Sequence, residues 1–372
     1  MSYTPYQGHV LDIYEKSFQD NWALPALTDI GSKEVLTYGE FARRIARMHL
    51  FFSQTGVQPG DKVALLGKNS ATWVMTFMAT ITYGAAIVPI LADFNPHDTQ
   101  HIINHSEATV LFVSEPIWET LEFDEMPQLR AVVSLETHHV LAERPVEGKP
   151  SAEKIIRNLS RRFKSVYRNG FTARDIKYPR VDKDQTAILN YTSGTTGEPK
   201  GAILPHSCFD AAISFHHRRL TSVTDSDTSM CFLPLSHIFE KAWTYYCFDT
   251  GVKVYINRDP RQIQDTIREV HPTCMCSVPR FWEKAYATIQ DKMSRMPAFS
   301  RWMCARALKI GRRRNLDYVR LGRHVPAWLE RRYRFYDSRI FAKVRRLMGV
   351  DRGNIFPTAG APLSNNIVEF FH

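Results

Sequence analysis

The chain has 372 residues, 44% of them hydrophobic and 12% aromatic, and carries a formal net charge of +10 at pH 7. That composition suits a globular protein of two or three subdomains and excludes an intrinsically disordered one. The charge is uneven: residues 151–180 hold nine Lys or Arg against two Asp or Glu, residues 301–350 hold fifteen against three, and the remainder sums to −9.

The first twenty residues mix charges and lack a continuous apolar run, so no signal peptide is read there. Residues 26–29 and Val35-Leu36 read as a short strand pair around a turn at Gly31-Ser-Lys33. Thr37 and Glu40 have capping-box spacing ahead of a helix with Phe41, Ile45, Met48 and Phe52 on one face. After a break at Gly56 to Gly60, strands at 62–67, 85–91 and 109–113 alternate with helices at 70–83 and 95–106. This alternation predicts an α/β fold with a mostly parallel sheet covered by helices. The run from Trp73 to Ala92 has no charged residue and reaches the minimal length of a membrane span. Thr76, Thr80, Thr82, Gly84 and Pro89 break it into helix, turn and strand, which favours a soluble reading.

A strand over 182–190 leads into a Gly-, Ser- and Thr-rich loop, and the alternation then resumes: helix 207–217, strand 228–233, helix 239–248, strand 252–256. From 297 to 348 the chain turns to arginine-rich amphipathic helices, with Tyr333, Tyr336, Ile340, Val344 and Leu347 at helical spacing. A last strand is predicted over 354–358. The six cysteines (Cys208, Cys231, Cys247, Cys274, Cys276 and Cys304) have no Cys-x-x-Cys spacing, and Cys274-Met-Cys276 reads as a buried strand; a reducing cytoplasm is expected.

The loop Tyr191-Thr-Ser-Gly-Thr-Thr-Gly-Glu-Pro-Lys-Gly-Ala202 carries the most chemistry. Gly194, Gly197 and Gly201 permit close backbone approach to an anion, Thr192, Ser193, Thr195 and Thr196 supply hydroxyls, and Lys200 supplies a cation. It is not a Walker A loop, because Pro199 precedes the lysine and biases the chain there toward a strand. Its place after a strand is where open α/β sheets bind ligands.

In its order of residues the loop resembles the signature of the AMP-binding, adenylate-forming superfamily. The resemblance extends through Leu233-Pro-Leu-Ser-His237-Ile-Phe-Glu-Lys241, Val278-Pro-Arg-Phe-Trp-Glu283 and Gly360-Ala-Pro-Leu-Ser364. Among its branches the segments look most like long-chain fatty acyl-CoA synthetases. The resemblance implies stacked, mostly parallel sheets with covering helices. It also implies ATP-dependent conversion of a fatty carboxylate to acyl-AMP, with pyrophosphate released, and then thioester formation with CoA. Thr192, Ser193, Gly194, Thr195, Thr196, Gly197 and Lys200 would hold the β- and γ-phosphates, with the Thr192 hydroxyl reaching Mg²⁺. Gly360, Ala361 and Pro362 would lie beside adenine, and His237 at the carboxylate and α-phosphate. Phe239 and Trp243 are candidates for an acyl tunnel, although core packing is an equal reading; Glu240 resembles the fatty-acid branch.

The expected domains are 1–180, with a basic insertion at 151–180, and 181–372, with a basic helical insertion at 297–350. The family's later signatures and its small carboxy-terminal domain should follow Ser364 and are not in the sequence. The expectation is therefore an amino-terminal portion with little or no ligase activity alone. The arginine-rich helices over 301–350 admit a solvated charged face or a peripheral anionic membrane surface. Nucleic acid is not expected, because no zinc-finger or RNP-type motif accompanies the charge. A homodimer is compatible with these features. The competing readings are a non-catalytic fatty-acid- or membrane-binding module, an acyl-AMP ligase, or another carboxylate-activating member.

Overall fold

The computed structural model describes residues 8–192 and 197–371. They divide into two compact units, Met1–Pro260 and Arg261–His372.

The first unit opens on α1 (Val10–Asp20), followed by the antiparallel pair β1 (Pro25–Asp29) and β2 (Glu34–Thr37). Thr37 then caps α2 (Tyr38–Thr55): its Oγ1 accepts the Glu40 N–H at 3.1 Å, while Glu40 Oε2 accepts the Thr37 N–H at 2.9 Å. This is the reciprocal box expected from the spacing. The alternation continues through β3 (Lys62–Leu66), α3 (Ala71–Tyr83), β4 (Ala86–Ile90), α4 (Pro96–His105), β5 (Val110–Val113), α5 (Glu115–Trp118), β6 (Ala131–Ser134), β7 (Val140–Glu143) and α6 (Ala152–Val166). It ends with β8 (Thr186–Thr192), β9 (Lys200–Pro205), α7 (His206–Arg219), β10 (Thr228–Cys231), α8 (Ile238–Asp249) and β11 (Lys253–Ile256).

Seven strands form one sheet in the order β7-β6-β5-β3-β4-β8-β9, and four form a second in the order β10-β11-β1-β2. Neighbours are parallel except β6–β7, β8–β9 and β1–β2, so the antiparallel strands sit at sheet edges. Helix α3 packs on β3 and β4 of one sheet and β1 of the other, and nearly every side chain on it is buried. That double burial accounts for the uncharged stretch from Trp73 onward, which is α3, a left-handed cap at Gly84 and β4. Among the described residues, no helix is long and apolar enough to cross a membrane.

One boundary lies elsewhere than expected. Residues from 181 onward are not a separate unit, because β8 pairs with β4 inside the seven-stranded sheet; the division falls at Pro260. The basic stretch 151–180 is docked on the unit. Helix α6 packs on α2, Ile155, Phe171 and Ile176 are buried, and Gln19 Nε2 donates to the Ile176 carbonyl at 3.0 Å.

The second unit is helical: α9 (Ile263–Val270), α10 (Pro279–Ser294), α11 (Ala298–Asp317), α12 (Ala327–Tyr336), α13 (Ala342–Met348) and α14 (Asn365–Phe371). The strands expected at 274–276 and 354–358 meet only at two parallel bridges, Cys274 with Ile355 and Ser277 with Thr358. Pro357 explains the interruption. Its carbonyl accepts the Ser277 N–H at 2.9 Å, but it has no N–H to return, so the ladder does not propagate. Cys274 and Cys276 are buried thiols outside any disulfide, as are Cys231 and Cys247 of the first unit.

Candidate active site

The phosphate-type loop sits on the β8–β9 hairpin. Burial falls along β8, from Ala187 and Ile188 in the core to an exposed Thr192 at the tip. The antiparallel register places Thr192 opposite Lys200 and Tyr191 opposite Gly201. Thr192 and Lys200, assigned to phosphate from sequence, are thus brought face to face, both exposed. Gly197 has φ +108°, a conformation that side chains disfavour. Ser193, Gly194, Thr195 and Thr196 lie outside the described residues.

The hairpin is braced from below. The Tyr191 ring lies under Gly201, so closely that a Cβ there would come within 2.9 Å of Tyr191 Cζ. Tyr191 Oη and His105 Nδ1 are hydrogen-bonded at 2.6 Å, and burial raises the Tyr191 pKa, so the phenol stays protonated. A cleft of about 510 Å³ runs beside the loop, lined by His101, His105, Glu198, Pro199, Lys200 and Gly201.

The segment after β10 is held by Asn69, which the sequence did not single out, and by Glu240, which it did. Asn69 donates from Nδ2 to the Leu233 carbonyl at 2.7 Å and accepts the Leu235 N–H at 2.9 Å. Glu240, fully buried, accepts the Leu233 N–H at 3.1 Å and the Thr244 hydroxyl at 3.1 Å. Between these clamps His237 becomes the N-cap of α8, its Nδ1 accepting the Phe239 N–H at 3.3 Å. An accepting Nδ1 puts the ring proton on Nε2, so the exposed imidazole is assigned as a donor at Nε2. Phe239 is half-buried beside it. Trp243 is core: its ring is buried and its indole N–H donates to Ser229 Oγ at 2.9 Å.

Lys241 links this segment to the hairpin. It is 1% exposed, its Nζ donates to Asn190 Oδ1 at 2.8 Å, and the Phe77 ring centroid lies 5.7 Å from Nζ. Burial lowers its pKa from 10.5 to about 7. Asn190 is two residues before Thr192, and Lys241 is one helical turn after His237. One buried side chain therefore ties the element presenting His237 to the strand presenting Thr192.

In the second unit, Gly360 has φ +94°, and Gly360, Ala361 and Pro362 are all exposed. The chain before them is anchored by Trp282, whose indole N–H lies 2.8 Å from Ser277 Oγ and 2.9 Å from Thr358 Oγ1. The Ala359 N–H donates to the Ser277 carbonyl at 3.1 Å.

A profile of the family described as AMP-binding enzyme matches residues 15–372. The chain belongs to that family. Among similar proteins, the mouse long-chain-fatty-acid–CoA ligase ACSBG2 is 27% identical over 97% of this chain and 54% of its own length. Long chain acyl-CoA synthetase 2 of Arabidopsis thaliana is 27% identical over 92% of this chain and 50% of its own. The chain spans about half the length of these relatives. Among solved structures, the N-terminal domain of FACL13 from Mycobacterium tuberculosis superposes with a TM-score of 0.65 at 18% identity, covering 98% of this chain and 72% of that one. That likeness supports the expected fold of stacked, mostly parallel sheets.

Proposed function

We propose that the protein serves as an acid–thiol ligase, activating a long-chain fatty carboxylate with ATP and passing the acyl group to CoA. The observation that carries the reading is the β8–β9 hairpin, with Thr192 opposite Lys200 and tied through Asn190 and Lys241 to the helix capped by His237. In the first step a carboxylate oxygen bonds to the α-phosphorus of ATP as the bond to the pyrophosphate oxygen breaks, giving acyl-AMP. In the second, the CoA thiol loses its proton and bonds to the acyl carbon, and AMP leaves.

Residues 192–197 and Lys200 would hold the β- and γ-phosphates, with Lys200 supplying charge-assisted bonds. His237 would donate from Nε2 to a carboxylate or α-phosphate oxygen and orient the attack. Gly360, Ala361 and Pro362 would lie against adenine. The Thr192 hydroxyl is a hard oxygen donor that suits Mg²⁺, whose other ligands would be phosphate oxygens and water, and the ion would screen phosphate charge there. Among the described residues, no cluster of three or more His, Cys, Asp or Glu is placed to hold a metal, in keeping with a cation that arrives with the nucleotide. Phe239, half-buried beside His237, is the proposed acyl-facing aromatic, while Trp243 supports it from the core. A long tail is favoured because each buried methylene contributes about 0.8 kcal/mol, or roughly 11 kcal/mol gross for about fourteen of them.

The test is fatty-acid-dependent ATP–pyrophosphate exchange, run on the 372-residue chain and on any longer polypeptide that carries it. Lys200→Ala is expected to lower exchange roughly 10- to 150-fold, the equivalent of about 1.5–3 kcal/mol of charged hydrogen bonding. Where exchange is seen, a Thr196→Ala/Lys200→Ala variant that keeps the parent rate would sink the proposal.

A further inference from the structure

The second unit presents a surface that nucleotide chemistry leaves unused. Helix α11 turns small residues inward: Ala307 and Gly311 are buried, and a Cβ on Gly311 would stand 3.2 Å from the Phe341 ring. Its outward stripe is Phe299, Trp302, Arg306, Lys309 and Arg313, spaced by three and four and exposed throughout. Helix α12 and the π-helical turn that continues it (Asp337–Phe341) repeat the pattern with Trp328, Arg332, Phe335 and Arg339. Exposure is 73% at Phe299, 53% at Trp302, 46% at Trp328 and 44% at Phe335, so these rings face solvent while alanine and glycine face the interior.

Cations sit on the rings. The Arg306 guanidinium lies 5.4 Å from the Trp302 centroid and Arg339 lies 4.0 Å from Phe335. Arg313 of α11 reaches the Trp328 ring of α12 at 5.1 Å, with Arg332 at 5.4 Å, so the two stripes adjoin. Of the acids on these helices, Glu330 pairs with Arg314 and Arg334 and Asp337 with Arg345, which leaves Asp317 exposed at the end of α11 against the five cations of the stripes. Among the described residues, Arg306, Lys309, Arg313, Arg332 and Arg339 make no ion pair. Val319 and Leu321, between the two helices, are also exposed.

A solvated charged helix face has no use for four outward aromatic rings, and contiguous exposed apolar surface marks an interaction site. We infer that the α11–α12 face docks on an anionic lipid bilayer. Tryptophan and phenylalanine seat at the boundary between headgroups and acyl chains, and the cations stacked on them meet lipid phosphate and carboxylate at the same depth. Charge and rings alone would also suit a nucleic acid. The exposed Val319 and Leu321 decide against it, since aliphatic side chains gain from a hydrocarbon boundary and have nothing to stack on along a nucleotide backbone. This inference stands on the second unit's own residues and does not rest on the acyl-activating reading.

The test is co-sedimentation of the 372-residue chain, without ATP or fatty acid, with phosphatidylcholine vesicles lacking or containing phosphatidylserine. Binding is expected only to the anionic vesicles, weakening at high salt, with a blue shift of tryptophan fluorescence on binding. Each cation reversed in an Arg306→Glu/Arg313→Glu variant should weaken partitioning about fivefold or more. Phe299→Ala/Trp302→Ala/Trp328→Ala should abolish the blue shift and most of the binding, with unfolding midpoints unchanged because these residues are exposed. Equal binding to neutral vesicles, unaltered binding of either variant, or binding of single-stranded RNA in preference to anionic vesicles would each overturn the inference. So would a parent dimer that the aromatic variant converts to monomer, since the face would then be an interface between copies.

Discussion

Replacing Lys241 by methionine should reverse its effect on stability with pH. The side chain is 1% exposed, and burial holds its pKa at about 7 against 10.5. That drop corresponds to about 5 kcal/mol, at ~1.36 kcal/mol for each pH unit. Because the folded pKa is the lower one, the unfolded chain binds the extra proton between those values, and stability rises with pH across that window. Below about pH 7 both states are protonated and the full penalty is present; above about pH 10.5 neither is, and the penalty is gone. Methionine keeps much of the volume but loses the bond to Asn190 Oδ1, at about 1–3 kcal/mol for the acceptor left behind.

Lys241→Met should therefore exceed the parent by about 2–4 kcal/mol near pH 6 and fall below it by about 1–3 kcal/mol above pH 10.5. Urea denaturation of both proteins at the two pH values, followed by tryptophan fluorescence, measures this, and titrations common to both chains cancel in the difference. A parent–variant difference of the same sign and size at both pH values would refute the assignment of Lys241 as a buried group neutralised near pH 7.

Two further outcomes probe the scaffold of the site. Gly201→Ala should cost about 1–3 kcal/mol, because the new Cβ meets a Tyr191 ring fixed by His105. In a urea double-mutant cycle the cost should largely disappear when Tyr191→Val removes the ring, and persistence of the full cost would point to a backbone cause instead. Asn69→Ala should free the Leu233–His237 segment, at about 2–4 kcal/mol for two backbone groups left without partners, and should raise hydrogen exchange at the Leu235 amide more than at amides of β3. Unchanged exchange at Leu235 would mean that Glu240 alone holds the segment.

Legibility in the sequence depends on the range of the interaction. The Thr37–Glu40 box, the Gly84 cap and the helix–strand alternation are set within a few residues, so their periods and caps show in one dimension. The hairpin tip is legible for the same reason, since Pro199 and the glycines prescribe a strand–loop–strand and thereby bring Thr192 to Lys200. Lys241 with Asn190 and Asn69 with Leu233 are 51 and 164 residues apart, and no local pattern marks either pair. Lys241 left one trace, the lone cation of a helix whose other charges are Glu240 and Asp249, one turn after His237, which burial alone could turn into a buried amine. Pro357 was visible too, but its consequence depends on which neighbour would have needed its N–H.

The arginine-rich stretch makes the same point in charge. By count, residues 301–350 are simply basic. In three dimensions its cations have two fates. Arg314 and Arg345 are spent within the unit on Glu330 and Asp337, while Arg306, Arg313 and Arg339 lie over exposed rings. The net charge therefore says little about a partner on its own. The stripe that separates ring-stacked from acid-paired arginines is what gives the surface a direction, and a partner that reads that stripe must accept aromatic side chains as well as charge.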